Sequence, residues 1–359
     1  MSLEPGVTRN NADTSDTPSR AVPAGGGRAG ISGAPDAVLG RIYRPIAGSL
    51  ARAELAMRRT ASESHHLVRY MSSYLLRRPG KRIRGALVLF SARAGHAEPG
   101  KAAKLAAIVE MLHLASLVHD DIIDGADRRR GLRALHAVWG IRPSILMGDY
   151  LFSRVANLLI AGFPPGVLKP ILRAAEAMCD GEIEEEAVAF NSRVDMKRHL
   201  GILKRKTAEL MAAACEAGGI LGGASPQERR ALRNYGLAFG MGFQLTDDGL
   251  NFSGTESELG KPVKSDLTEG RFTCPLLFLR GKLRDAERQR LLGLLNRRAL
   301  SNGGVARVEE MVERNGGVAR TLELAASFFR RARKSLRGVP ASAAGPLADL
   351  ARYAEGRRR

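Results

Sequence analysis

The sequence predicts an all-α fold, on three observations. From about residue 37 onward, apolar or small residues recur at spacings of three and four, as in Ala102, Leu105, Ile108, Val109 and Leu112, and again in Leu203, Thr207, Leu210, Met211 and Ala214. No apolar–polar alternation persists as it would in half-buried strands, and aromatic residues make up only 5% of the chain, which disfavours a sandwich. Breakers at Pro79-Gly80, Glu98-Pro99-Gly100 and Gly162-Phe163-Pro164-Pro165-Gly166 cut the periodic stretch into roughly ten or more helices.

In chain order, residues 1–36 are mostly Gly, Pro, Ala, Ser, Thr and Asn and bury too little apolar surface to offset the entropy of ordering, so a disordered N-terminal tail is expected there. One all-helical domain over 37–359 comes next. Gly80-Lys81-Arg82-Ile83-Arg84 opens a helix, and a long apolar helix begins after Gly100 and runs into an acidic cluster. Lys204-Arg205-Lys206-Thr207 lies inside a later helix. Asn302-Gly303-Gly304 and Asn315-Gly316-Gly317 read as helix ends, because Gly and Asn accept the left-handed conformation that closes a last turn.

An apolar content of 44% suits a large core, and no eighteen-residue window is uninterruptedly apolar, so a membrane-spanning chain is disfavoured. Fifty-six basic against 37 acidic residues give a net charge of +19, which points to nucleic acid, anionic membrane or phosphorylated small molecules as partners. Nucleic acid is set aside for want of a basic motif studded with aromatics. The terminal Arg357-Arg358-Arg359 reads as a solvated face or as a peripheral contact with anionic lipid. Cys179, Cys215 and Cys274 are far apart and odd in number, which argues against a disulfide framework or a zinc site and fits a reducing cytoplasm.

Two acidic clusters carry the chemistry. Asp120, Asp124 and Asp127 keep i, i+4, i+7 spacing and share one helical face, where they repel unless a cation lies between them. Asp247 and Asn251 repeat the i, i+4 spacing, with Asp248 beside them. Two such faces opposed make an all-oxygen site for a hard cation, and magnesium in such a site is completed by substrate phosphates. The basic runs at 80–84 and 204–207 supply phosphate-gripping counterparts, so two diphosphates are expected, one bound to metal and one held by cations alone.

These residues, in this order, resemble the trans-prenyltransferase family, the polyprenyl diphosphate synthases. The resemblance spans about 40–340 and rests on GKRIR at 80–84, EMLH at 110–113, HDDIID at 119–124, RRG at 129–131, GDYLF at 148–152, KT at 206–207, FQLTDD at 243–248 and GKPVKSDLTEGRFTCPLL at 260–277. It implies an isoprenoid synthase fold, a single large helical bundle around a central cavity. It also implies a homodimer that condenses isopentenyl diphosphate head-to-tail with an allylic diphosphate. By the same resemblance Asp120 and Asp124 bind two magnesium ions and Asp247 a third, with Asp121 and Asp248 among the catalytic carboxylates. Arg129, Lys206, Thr207, Gln244 and Lys261 then hold the allylic diphosphate, and Lys81, Arg84, His113 and Arg130 hold isopentenyl diphosphate. Metals and cations stabilise the departing diphosphate, the allylic cation is attacked by the isopentenyl double bond, and the released diphosphate takes the proton. His119 and His136 are expected to be structural.

The chain departs from the pattern at Gly85 and Arg133, where proline is common, at Glu185 in place of glutamine, at Asn251 in place of aspartate, at Lys264 in place of glycine and at Arg271 in place of lysine. Asn251, Glu185 and Lys264 motivate a second reading, a non-catalytic regulatory subunit of a heteromeric synthase. On the helix of Asp120 the residues one turn back, Ala115 and Ser116, are small, which places the floor of a product tunnel near Leu112, Met111 or Ile108. Moving the floor from 116 to 108 adds roughly 12 Å at about 1.5 Å per residue, so a product longer than C15 is expected.

Overall fold

The computed structural model describes residues 37–62, 65–77, 80–129, 131–253, 267, 269–295 and 302–357. The expected N-terminal tail, Arg130, Lys261 and Lys264 lie outside the described residues. The helices in chain order are α1 (Ala37–Tyr43), α2 (Ala47–Ser62), α3 (His66–Leu75), α4 (Ile83–Ala92), α5 (Pro99–Ile123), α6 (Leu135–Trp139), α7 (Ile141–Gly162), α8 (Pro165–Ala187), α9 (Met196–Leu203), α10 (Glu209–Gly222), α11 (Pro226–Ser253), α12 (Cys274–Lys282), α13 (Asp285–Leu295), α14 (Asn302–Arg314), α15 (Gly317–Ser335) and α16 (Ala341–Glu355). Among the described residues the only strands are β1 (Arg128–Arg129) and β2 (Leu132–Arg133), a two-residue antiparallel hairpin turned at Gly131.

Helix α10 is the axis of the bundle. Its residues are small or apolar on nearly every side, and Leu210, Met211, Ala212, Ala214, Cys215 and Ala217 are buried against α4, α8 and α11. A helix apolar all round belongs inside a core. Truncating Leu210 or Met211 to Ala is expected to cost about 2–5 kcal/mol, the range for buried aliphatic side chains whose cavity stays open. Helix α5 packs on α2, α4 and α7, α15 lies along α11, and α16 closes over α4 and α15. A second, smaller core holds Ile202, Leu276, Leu279, Leu291, Val308 and Val312.

Several helix boundaries sit at their breakers. Pro99 opens α5 with Glu98 accepting the Gly100 N–H, and Gly316 adopts φ +70° between α14 and α15. Asn302-Gly303-Gly304, expected to end a helix, opens α14 instead. Helix α5 ends at Ile123, so Asp127 lies beyond it in an exposed turn and does not share the face of Asp120. Asp124 is the last residue of that face, at the C-cap.

Candidate active site

Lys206 and Thr207 stand on a π-helical turn, Lys204–Ala208, that joins α9 to α10. Such a turn inserts one residue into the helical register and is used mainly where side chains must be re-aimed. Two glycines allow helices to clamp it. A Cβ at Gly181 of α8 would lie 2.7 Å from the Lys206 nitrogen, and one at Gly240 of α11 would lie 2.6 Å from the Ala208 Cα. The clamp brings Glu182 of α8 to 2.6 Å from Lys206 Nζ, with Glu185 hydrogen-bonded to the same ammonium. Burial works against the charge of Lys206, but Glu185 and Glu182 outweigh it and raise its pKa above the ordinary lysine value. Burial alone would likewise raise Glu185, yet Lys206 and Arg271 hold it below the usual carboxylate range.

From the same turn a hydrogen-bonded chain runs to α11. Thr207 Oγ1 donates to Gln244 Oε1 at 3.0 Å, Gln244 Nε2 donates to Asp248 Oδ1 at 3.2 Å, and His199 Nε2 lies 3.1 Å from Asp248 Oδ2. Asp248 is buried, so it orders this chain from within the protein.

The end of α5 reaches the cluster from the other side. Arg271 Nη2 donates to Asp124 Oδ1 at 2.5 Å, and Arg271 Nη1 lies 3.2 Å from Glu269 and 3.9 Å from Glu185. An unbroken run of charges, Asp124–Arg271–Glu185–Lys206, therefore connects α5 to the π turn. Burial pushes the Asp120 carboxyl up to about 7 against the pull of Lys206 and Arg129. Asp121 is buried and pairs with Arg129 of β1.

Asp247, on α11, is met by the C-terminus. Arg357 Nη2 lies 3.2 Å from its Oδ1 while the guanidinium sits 4.6 Å from the centre of the Phe243 ring. The first of the terminal arginines thus folds onto the second acidic motif instead of lying on a solvated face. Asn251 stands one turn further along α11.

A second cationic set lies where α4 begins. Lys81 is exposed, with Nζ donating to Tyr353 Oη at 3.2 Å, and Arg84 lies in the first turn of α4. His113 is on α5, two turns before Asp120. His119 Nε2 lies 3.1 Å from the Ile145 carbonyl and ties α5 to α7. Among the described residues no three His, Cys, Asp or Glu side chains converge into a preformed metal cage.

Residues 65–313, which include both acidic motifs and the π turn, match the family described as Polyprenyl synthetase. The chain belongs to the polyprenyl synthetase family. Membership makes it a trans-prenyltransferase, and its helical architecture is the isoprenoid synthase fold. It is 37% identical over 269 residues to the short chain isoprenyl diphosphate synthase of Methanothermobacter thermautotrophicus, covering 74% of this chain and 82% of that one. It is 33% identical to heptaprenyl diphosphate synthase component 2 of Geobacillus stearothermophilus, covering 87% of this chain and 97% of the relative. Among solved structures, the polyprenyl synthase of Caulobacter crescentus, complexed with calcium and isoprenyl diphosphate, superposes with a TM-score of 0.83 at 34% identity over 89% of this chain and 98% of that one.

The structure thus links Asp124, Lys206, Thr207, Gln244 and Asp248 through one network with Asp120 beside Lys206, pairs Asp247 with Arg357, and places Lys81 and Arg84 at the start of α4 and His113 on α5. Sequence reasoning missed Glu182, His199 and Arg357. Glu182 is readable in retrospect, because it lies three residues before Glu185 on one face of α8. His199 carries no local signal, since its partner is 49 residues away.

Proposed function

We propose that this polyprenyl synthetase condenses isopentenyl diphosphate head-to-tail with an allylic diphosphate in a magnesium-dependent reaction, giving a product longer than C15. The observation that carries the reading is the π turn: Lys206 ties it to α5 through Glu185 and Arg271, and Thr207 ties it to α11 through Gln244, so carboxylates and cations from both acidic motifs meet at one place.

The donor set fits magnesium. Both acidic motifs offer carboxylate oxygens, and a hard ion that keeps waters and takes substrate oxygens needs no all-protein cage. Asp120, Asp124 and Asp247 would hold three ions together with the diphosphate, and the metal would neutralise charge on the leaving group. Lys206, Thr207, Gln244, Arg129, Arg271 and, outside the described residues, Lys261 bind and orient the allylic diphosphate. Lys81, Arg84, His113 and Arg130 hold isopentenyl diphosphate. Positive charge placed beforehand around the leaving oxygens lowers the barrier to ionisation, because it needs no reorganisation as charge develops.

Product length is set along α5. Ser116, one turn below Asp120, is half-buried, and Ala115, Leu112, Met111 and Ile108 behind it are buried. A small apolar cavity lies at that depth, lined by Met57, Leu76, Met111, Leu114, Tyr150 and Leu151. The two relatives named above differ in product length, short chain and heptaprenyl, so the argument rests on these residues. The convergence of both acidic motifs with Lys206 also favours an active enzyme over a non-catalytic subunit. Helix α7 leaves Ile141, Leu146 and Ile160 exposed, at 57%, 67% and 67%, a face we propose is covered by a second copy.

The test is product analysis after incubating the protein with magnesium, labelled isopentenyl diphosphate and, separately, geranyl, farnesyl or geranylgeranyl diphosphate. Products beyond C15 support the reading, a clean stop at C15 removes the length argument, and no product with any primer removes the reaction. A monomer in sedimentation equilibrium would remove the dimer.

A further inference from the structure

Three cations crowd the start of α4, and the middle one behaves differently from its neighbours. Arg82 adopts φ +52°, the left-handed region, which costs a non-glycine residue about 1–2 kcal/mol. Its side chain turns inward, only 11% exposed, with Nε donating to Glu54 Oε2 at 2.9 Å and Nη1 to Glu110 Oε2 at 3.4 Å. Glu110, buried on α5, uses its other oxygen to accept the Gly85 N–H at 2.8 Å. That N–H is one of the first-turn donors a helix cannot satisfy itself, and a carboxylate near it is favoured by the helix dipole. Tyr43 Oη, from α1, donates to the Lys81 carbonyl at 2.9 Å.

The start of α4 is therefore fastened to α5 by one buried carboxylate that lies a single turn before His113. A buried charge triad is weak support for stability, because apolar residues of similar volume commonly do as well. What the triad does supply is a fixed register and orientation.

We propose that Glu110, acting with Arg82, is a positioning residue for the isopentenyl diphosphate subsite: with Glu54 it holds Arg82 inward, and through Gly85 it fixes Lys81 and Arg84 at the start of α4 relative to His113 of α5. The inference rests on the assignment of isopentenyl diphosphate to Lys81, Arg84 and His113.

The experiment measures KM for isopentenyl diphosphate, KM for farnesyl diphosphate and kcat for the full-length enzyme and for Glu110→Gln, Arg82→Gly and Lys81→Ala, each checked for an unchanged circular dichroism spectrum. Glu110→Gln removes one of the two charges that hold Arg82, Glu54 keeping the other, and is expected to raise KM for isopentenyl diphosphate by up to roughly tenfold, with KM for farnesyl diphosphate and kcat within about twofold. Arg82→Gly keeps the left-handed backbone, loses the guanidinium and is expected to show the same split, so it carries the test if Glu110→Gln does not fold. Both KM values rising together, or neither rising while Lys81→Ala weakens isopentenyl diphosphate, overturns the positioning role. An unaltered KM in Lys81→Ala overturns the subsite assignment itself, and the inference with it.

Discussion

Replacing Glu185 by Gln is expected to tighten diphosphate binding. Lys206 keeps Glu182 at 2.6 Å, and Arg271 keeps Asp124 at 2.5 Å and Glu269 at 3.2 Å, so the cations stay in place when one carboxylate loses its charge. What changes is the field felt by the incoming anion. A phosphate on the far side of Lys206 or Arg271 lies roughly 7 Å from position 185, where a unit-charge repulsion at an effective dielectric of about 20–40 is about 1–2 kcal/mol. One such repulsion removed corresponds to binding tighter by roughly five- to thirtyfold, and a glutamine oxygen still accepts from Lys206. The assay is the inhibition constant of inorganic diphosphate against the allylic substrate, measured at fixed magnesium and ionic strength. An inhibition constant that is unchanged or raised refutes the reasoning, because Glu185 would then hold the cations in position and not compete with the substrate for them.

Gly181→Ala drives a methyl toward the Lys206 backbone nitrogen, 2.7 Å from where the Cβ must sit, and is expected to destabilise the fold by about 1–3 kcal/mol and to lower kcat; an unchanged thermal midpoint by circular dichroism rejects the clamp. Arg357→Ala frees Asp247 from a partly exposed pair whose strength is about 0–1 kcal/mol, so the half-saturating magnesium concentration is expected to fall by up to about fivefold. An unchanged magnesium requirement counts against the contact. Ser116→Phe places a ring one turn below Asp120 and is expected to shorten the product by one or more isoprene units; chromatography showing the wild-type length moves the tunnel to another face of α5.

Much of the fold was legible because helical periodicity and breakers are local. Pro99, the Gly162–Gly166 break and Gly316 set boundaries by rules that act within a few residues. Asn302-Gly303-Gly304 misled because the same residues suit either end of a helix, and here the periodic apolar residues Val305, Val308 and Val312 continue C-terminal to them. The candidate site was legible where ligands lie on one helix, as with Asp120 and Asp124. Partners separated in sequence were not: Arg271 is 147 residues from Asp124, Arg357 is 110 from Asp247, and neither pairing leaves a periodic trace. Glu110 stands out in the sequence only as part of EMLH, and its role depends on the backbone of α4.

The pairing of charges at this site bears on how ligands enter. Asp124 is neutralised by Arg271, Asp247 by Arg357, and Lys206 by Glu182 and Glu185. A divalent cation arriving alone at Asp124 would leave the Arg271 guanidinium, only 13% exposed, beside a second positive charge. A diphosphate arriving alone at Arg271 would draw that guanidinium from Asp124 and strand a carboxylate. When both arrive together, the cation takes the carboxylates and the diphosphate takes the freed arginine and lysine, so no buried charge is left without a partner. The exchange predicts coupled binding of cation and diphosphate, and such coupling must be reciprocal. A manganese titration monitored by electron paramagnetic resonance is expected to give a several-fold tighter dissociation constant with inorganic diphosphate than without it, after correction for the complex the two form in solution. Arg271→Gln, which removes the exchanged partner, is expected to reduce that factor. Equal manganese affinity with and without diphosphate in the wild-type enzyme would mean that the ion pairs at Asp124 and Lys206 do not open on binding, and the exchange argument would fail.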